Sequence, residues 1–221
     1  MKALLKKILP TSLYMVLKYH YTTRWNEPSR YKALYQLIRR NKSRRILEIG
    51  TWNGERALRM LYASKRATGM PAEYYGFDLF DAMDQAEYER EISKKPPSYE
   101  EVKSKLLTSG ARIKLYQGNT LQTLPESIDS MPKMDFIFID GGHHVDTVKN
   151  DWEYSQKVMH ENTVVIFDDY WHNRKDHGAR PIVDAIDTKK YEVVILPVIN
   201  TYNTNDFGRL EISFARVSFK K

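Results

Sequence analysis

The sequence contains no cysteine, which excludes a disulfide framework and any thiolate-bound metal and suits a reducing, cytoplasmic setting. It also has no apolar run of about 18–20 residues, the length needed to span a bilayer as a helix. The basic start Met1–Tyr21 resembles a secretory leader only superficially, because Lys6, Lys7 and Pro10 interrupt its apolar stretch and no small-residue cleavage site follows. Residues 1–43 therefore read as a helical lid or packing segment, with an amphipathic helix lying on a membrane surface as the alternative. No internal repeat or low-complexity tract is present, so solenoid architectures are excluded as well.

What the chain does have is the balance of one globular domain. Hydrophobic residues make up 42% and charged residues 29% of 221 positions, enough for a single core and too apolar for disorder. The net charge of +7 raises nucleic acid, an anionic surface or an anionic acceptor as partners. The basic residues are dispersed, apart from small clusters at Arg39–Arg45 and Lys220–Lys221, so nucleic acid is not the favoured partner. Self-association is left open.

From about Arg44 onward, β-rich runs alternate with helical stretches, the pattern of a parallel sheet covered on both faces. The expected strands are Arg45–Ile49, Tyr74–Leu79, Ile113–Gln117, Met134–Asp140, Thr163–Asp168, Tyr191–Val198 and Arg209–Val217. Helices are expected over Glu55–Lys65, Tyr99–Leu107, Leu121–Asp129, Asp146–Met159 and Pro181–Asp187. The last two strands are joined by a polar segment with no helix, which predicts an antiparallel return. The domain division is thus 1–43 and 44–221. The charged stretch from Asp81 to Glu101, with Pro96-Pro97 inside it, reads as a surface excursion, either an acceptor lid or a plain insertion.

RILEIGTWNGE reads as a buried strand, a glycine turn and a helix start. Gly50 and Gly54 permit a tight turn and close approach to a ligand, and the helix N-terminus suits a charged ligand group. Glu48 at the strand end suits a ligand's ammonium group. Asp78, at the end of the second strand, is placed to accept ribose hydroxyls, as in dinucleotide sites. Asn119 and Thr120, after the third strand, suit an adenine edge. Two further strands end in carboxylates, Asp140 and the pair Asp168-Asp169. Parallel strands bring their C-terminal ends to one crevice, so these three hard oxygen donors suit Mg²⁺ or another hard divalent cation. The alternative for Asp168 and Asp169 is the capping of a loop or helix start.

LEIGTWNGE, GFDLF, QGNT, FIDGGHHVDTVKNDW and VVIFDDYW together resemble the class I S-adenosylmethionine-dependent O-methyltransferases, in particular the macrocin-type sugar and natural-product enzymes. The resemblance covers roughly residues 44–190. It implies a Rossmann-like, seven-stranded, mostly parallel sheet with a C-terminal antiparallel hairpin. It also implies a cofactor site at Glu48, Gly50, Asp78, Asn119 and Asp140, with Thr51, Gly54 and Thr120 beside them. The metal-binding carboxylates would be Asp140, Asp168 and Asp169. Trp52 stands where the wider superfamily has a middle glycine, a departure from its pattern.

The catalytic expectation centres on Asp140 and His143. A metal lowers the pKa of a coordinated hydroxyl, and a histidine suits the base. The resemblance favours His143, leaving His144 as a metal ligand or a solvent-facing residue and Asp151 as a helix anchor or a support behind the site. The segment YWHNRKDHGARP, with Trp171, His172, Arg174, Lys175 and His177, reads as a polar acceptor-binding loop. Tyr19, Tyr21, Trp25, Tyr31 and Tyr35 have the spacing of core packing, with stacking on a sugar or ring as the alternative. The leading expectation is metal-assisted O-methylation of a hydroxyl on a sugar, glycan or small secondary metabolite. RNA or protein methylation and a dinucleotide-binding oxidoreductase are the alternatives.

Overall fold

A computed structural model describes residues 28–86, 89, 97–204 and 207–221. The N-terminal residues 1–27, including Tyr19, Tyr21 and Trp25 and any membrane-facing helix there, lie outside the described residues, as do residues 87, 88 and 90–96 of the charged excursion.

In chain order the elements are α1 (Tyr31–Arg40), β1 (Arg45–Ile49), α2 (Glu55–Thr68), β2 (Glu73–Asp78), α3 (Tyr99–Leu107), β3 (Arg112–Gln117), α4 (Thr120–Ser127), β4 (Met134–Ile139), α5 (Val145–Lys157), β5 (Met159–Trp171), α6 (Arg180–Asp184), β6 (Tyr191–Ile195), β7 (Asn200–Thr204) and β8 (Gly208–Phe219). Helix α3 starts where the sequence says it should, because Ser98 and Glu101 form a reciprocal capping box.

The strands form one sheet in the order β3-β2-β1-β4-β5-β8-β6. Strands β1 to β5 pair in parallel, whereas β8 runs antiparallel to both of its neighbours. This is the mostly parallel α/β sheet with an antiparallel return that the sequence predicts. One strand was not expected: β7, within the polar linker, pairs with the first half of β8, giving eight strands rather than seven. Alternation along Asn200–Thr204 puts Tyr202 against the apolar cluster of Trp171, Leu210 and Ile212, which explains why so polar a segment extends.

Side chains of successive strand residues face opposite sides, and the core divides accordingly. Leu47, Ile49, Ile137, Ile139, Val165 and Phe167 pack on α4, α5 and α6, whereas Ile46, Phe136, Phe138, Ile166 and Phe214 pack on α1, α2 and α3. Helix α1 contributes Leu34, Tyr35 and Ile38 to the second layer, so the end of the N-terminal segment belongs to the same core as the sheet. The order reverses between β1 and β4, and ligands bind at such a switch point, outside the carboxyl ends of the strands.

Candidate active site

A cleft of about 290 Å³ opens at that switch point. Of the residues expected at the site, Gly50, Asp78, Asn119, Thr120, Asp140, His143, Asp168 and Asp169 line it. Glu48, Thr51 and Gly54 do not.

Glu48 corrects the expectation that it meets a ligand's ammonium group. Strand alternation turns it away from the Leu47/Ile49 face and toward α2, where it is fully buried and accepts a hydrogen bond from the Tyr74 hydroxyl. The Thr51 hydroxyl bonds the same Tyr74 oxygen at 3.0 Å. Burial pushes the Glu48 carboxyl up to about 8, against the opposing effects of the Tyr74 bond and the Arg56 charge. Between the ordinary value of 4.5 and about 8, the folded chain keeps a proton that the unfolded chain has released. Stability from this group therefore falls as pH rises through that window. Glu48→Gln, which keeps an acceptor for Tyr74, should remove most of the loss, read as the shift in Tm between pH 5 and pH 8 for variant and parent.

Asp78 ends β2 with its carboxylate across two loops. It accepts the Trp52 N–H at 2.6 Å and the Phe80 N–H at 2.9 Å. Burial raises its pKa, and these backbone bonds oppose the rise. Trp52 occupies a left-handed conformation, φ 45°, which is why glycine is favoured at that position. Asn119 caps α4, accepting the Leu121 N–H at 2.9 Å, so its carbonyl serves the helix as well as the cleft.

The three aspartates come together as expected: one carboxylate oxygen from each of Asp140, Asp168 and Asp169 lies within 4.8 Å of the others. Consecutive residues of a regular strand cannot both face one cleft. Asp168 and Asp169 do so because β5 is irregular between Phe167 and Tyr170, and Asp169 adopts φ 53°. The same bulge extends β5 to Trp171, correcting the reading of Tyr170 and Trp171 as part of a polar loop. Trp171 is buried in the cluster with Leu210 and Ile212. Arg174 of that segment pairs with Asp176, and neither Arg174 nor Lys175 lines the cleft.

Each aspartate already has a protein partner of opposite or titratable charge. Arg56, in the first turn of α2, forms an ion pair with Asp140. His143 Nε2 lies 2.9 Å from Asp169 Oδ2, and the Trp171 indole N–H donates to Asp169 Oδ1 at 3.2 Å. Burial alone would raise the Asp169 carboxyl, but His143, Arg30 and the indole together bring it down to about 2. The backbone N–H groups of Gly178 and Ala179 hold the carbonyls of His143 and Asp169 at 2.8 and 2.9 Å, fixing the two loops relative to each other. The ring of His143 also stacks on Trp171, centroids 5.6 Å apart. The neighbouring His144 is an N-cap of α5, its ring nitrogen accepting from Asp146, which accounts for one of the two adjacent histidines structurally. Asp151 is buried on α5, with a carboxylate oxygen facing Gly141, as a support behind the loop.

Asp168, 2% exposed, has the fullest set of partners. It accepts Arg30 Nε at 2.9 Å, Arg30 Nη2 at 3.1 Å, the Tyr31 hydroxyl at 2.5 Å and the Asp169 N–H at 2.7 Å. A carboxylate offers about four acceptor sites, and these four donors fill them. A hard cation needs an open carboxylate oxygen at roughly 2.0–2.6 Å, and Asp168 has none left. The aspartate triad therefore does not fit a divalent ion with Asp168 as a ligand.

Arg30, Tyr31 and Arg56 line the cleft without having been expected there from the sequence. The spacing of Tyr31 predicts core packing, and its ring is buried, yet its hydroxyl bonds Asp168 and the Arg56 guanidinium lies 4.0 Å from its centroid. No local motif marks Arg30 and Tyr31, which only the position of α1 against the sheet brings in, whereas Arg56 enters from the first turn of α2.

A family described as a methyltransferase domain matches residues 47–170, more than half of the chain. The fold is similar to that of an O-methyltransferase from Bacillus cereus in complex with S-adenosylhomocysteine, at 16% identity and TM-score 0.58, covering 98% of this chain and 96% of that one. It is similar to the O-methyltransferase TomG from Streptomyces achromogenes in complex with S-adenosylmethionine, at 15% identity and TM-score 0.58, covering 98% and 95%. The methyltransferase PaMTH1 of Podospora anserina, bound to S-adenosylhomocysteine, aligns at 21% identity and TM-score 0.54, covering 99% and 93%. An uncharacterized protein, R132, of Acanthamoeba polyphaga mimivirus is 33% identical over 89 residues, spanning 38% of this chain and 38% of that protein. Gly50, Asp78, Asp140 and the Asp168-Asp169 bulge all fall inside the matched span or at its strand ends, and the sheet has the matching order and return strand. The chain belongs to the methyltransferase-domain family and carries the class I, S-adenosylmethionine-dependent methyltransferase fold.

Proposed function

We propose that the protein transfers the methyl group of S-adenosylmethionine to a hydroxyl oxygen of a sugar, glycan or small secondary metabolite. The observation that carries this reading is the His143–Asp169 pair, with its 2.9 Å contact, set in the same cleft as Gly50, Asp78 and Asp140. When bound, the cofactor supplies an electrophilic methyl carbon on a sulfonium. The protein's part is to place the acceptor in line and take its proton.

In this reading the acceptor O–H gives its proton to His143 as the oxygen bonds to the methyl carbon and the carbon–sulfur bond breaks. The sulfur keeps the electron pair, so S-adenosylhomocysteine leaves neutral. Asp169 stabilises the imidazolium that forms and holds the ring in orientation, the usual work of a carboxylate behind a histidine base. The Trp171 indole stacks on the His143 ring and gives a second hold on Asp169. In this reading Asp78 and Asn119 meet the ribose and adenine ends of the cofactor. The divalent ion expected from the sequence has no part in this proposal, because Asp168 offers it no open oxygen.

A small acceptor is preferred to RNA by the charge of the cleft. Its arginines, Arg30 and Arg56, are both paired with aspartates, so the net charge of +7 is not presented there as a track for phosphates. Among the described residues, no helix is long and apolar enough to cross a membrane.

The test combines binding with transfer. S-adenosylhomocysteine should raise Tm, since it binds the native state alone, and labelled S-adenosylmethionine should methylate at least one member of a panel of sugars, glycans and phenols. His143→Ala should keep the thermal shift and lose about 10²–10⁴-fold in turnover. A variant with parental turnover would remove His143 as the base, and no shift in the parent would remove the cofactor assignment.

A further inference from the structure

We infer that Asp168 is the buried counter-ion of Arg30, not a metal ligand, and that this methyltransferase holds no divalent ion at its three aspartates. The argument begins with a complete accounting of one ion pair. A guanidinium has five N–H donors. Arg30 uses Nε and one Nη2 donor on Asp168, the other Nη2 donor on the Tyr31 hydroxyl, and its Nη1 donors on Asn200 Oδ1 and the Tyr202 hydroxyl. Its partner's acceptor sites are filled in turn, as described above. Both groups are almost completely buried. Each is satisfied only while the other stays.

Burial normally disfavours the charge on an arginine, but the neighbouring Asp168 carboxylate outweighs that effect and holds Arg30 more firmly protonated. The guanidinium is therefore a permanent cation fixed beside the cleft. It lies over the rings of Tyr31, Tyr202 and Phe214, at 4.7, 5.6 and 5.5 Å from their centroids, so packing as well as charge resists its displacement. A metal ion at Asp168 would have to break two charge-assisted bonds and the Tyr31 bond. It would then leave Arg30 buried and unpaired. Arg56 acts likewise at Asp140, and His143 at Asp169. Two of the three carboxylate charges are thus cancelled by arginines held in place, so little of the negative field that would attract a +2 ion remains.

The brace has a second consequence for the reaction. It ties the start of α1, the bulge of β5 and the added strand β7 into one unit, so Arg30 is a positioning residue that sets where Asp168, and with it the adjoining Asp169, stands. With no Lewis acid at the aspartates, activation of the acceptor hydroxyl falls to His143 and Asp169 alone. This last step rests on the methyl-transfer reading above; the assignment of Asp168 does not.

The experiment uses the intact protein and Mn²⁺ alone as the probe. Titration of wild-type protein followed by the electron paramagnetic resonance signal of free Mn²⁺ should show no saturable loss of signal at millimolar metal. In parallel, the adenosyl proton resonances of S-adenosylhomocysteine in exchange with the protein should show no protein-dependent paramagnetic broadening by Mn²⁺. The thermal shift from S-adenosylhomocysteine should be equal in Mg²⁺ and in chelator. Saturable Mn²⁺ binding that broadens the bound nucleoside would place an ion at the aspartates and overturn the inference, without any variant that has to fold. Failure of S-adenosylhomocysteine to bind would instead remove the cofactor reading, with the Mn²⁺ titration still deciding the metal.

Discussion

Asp168→Ala is expected to lower the free energy of unfolding by about 3–5 kcal/mol, the cost of leaving a buried charge without its partner. The size follows from what remains: Arg30, 5% exposed, keeps its bonds to Asn200 and Tyr202 but faces the vacated carboxylate site with only the weaker field of Asp169, and the Tyr31 hydroxyl loses its acceptor. The sign is diagnostic. In a site built for a cation, clustered carboxylates repel one another when the ion is absent, so removing one stabilises the metal-free protein. Here Asp168 is bonded rather than repelled, so its removal destabilises. A double variant, Arg30→Met with Asp168→Leu, should recover most of the loss, because a buried ion pair and an apolar pair of similar volume are often close in free energy. Denaturant midpoints with the slope held common to parent and variants give the comparison. A stabilised Asp168→Ala protein would contradict the brace.

The legibility of this chain divides along the kind of signal each feature leaves. Strand β1 is readable to the residue, since Arg45–Ile49 is a short apolar run stopped by Gly50. Helix α3 is equally readable, because Ser98 and Glu101 announce its start. The convergence of Asp140, Asp168 and Asp169 follows from two apolar strands ending in acids, a rule of parallel topology. What the sequence leaves unmarked depends on tertiary position. Glu48 is at the right strand end for a ligand contact, yet the twofold alternation that buries Leu47 and Ile49 on one face carries Glu48 to the other. The bulge at Asp169 flips one side chain and lengthens β5 by residues that read as loop. Arg30 and Tyr31 lie 138 and 137 positions from Asp168, and no local spacing connects them. The inference against a metal turns on the same distinction: donor type and strand-end position are local facts, whereas the occupancy of a carboxylate's acceptor sites is a property of the assembled fold. β7 is a milder case, a polar segment drawn into the sheet by one tyrosine and the open edge of β8.

Gly50→Ala should abolish binding of S-adenosylhomocysteine and destabilise the fold by about 3 kcal/mol or more, the sum of backbone strain and overpacking that cannot relax. Gly50 has φ +92°, a conformation L residues rarely adopt, and a Cβ there would stand 1.9 Å from the Asp140 carbonyl oxygen and 2.8 Å from the Gly141 nitrogen. Neither neighbour can yield cheaply. The Asp140 N–H is bonded to the Ile49 carbonyl and the Gly50 N–H to the Phe77 carbonyl, both at 2.8 Å, so moving the Asp140 backbone pulls on β1 and β4 at once. Those strands flank the switch point, and the displaced residue is one that pairs with Arg56 and lines the cleft. Gly69→Ala is the control. It has a similar sign of φ, +70°, but a Cβ there meets nothing within 4 Å, so only the left-handed strain of about 1–2 kcal/mol applies. Gly69→Ala should therefore lose some stability and keep nucleoside binding, measured by calorimetry on both variants. Equal binding by Gly50→Ala and its parent would mean that the close contact between the β1 and β4 loops is not what shapes the cofactor cleft.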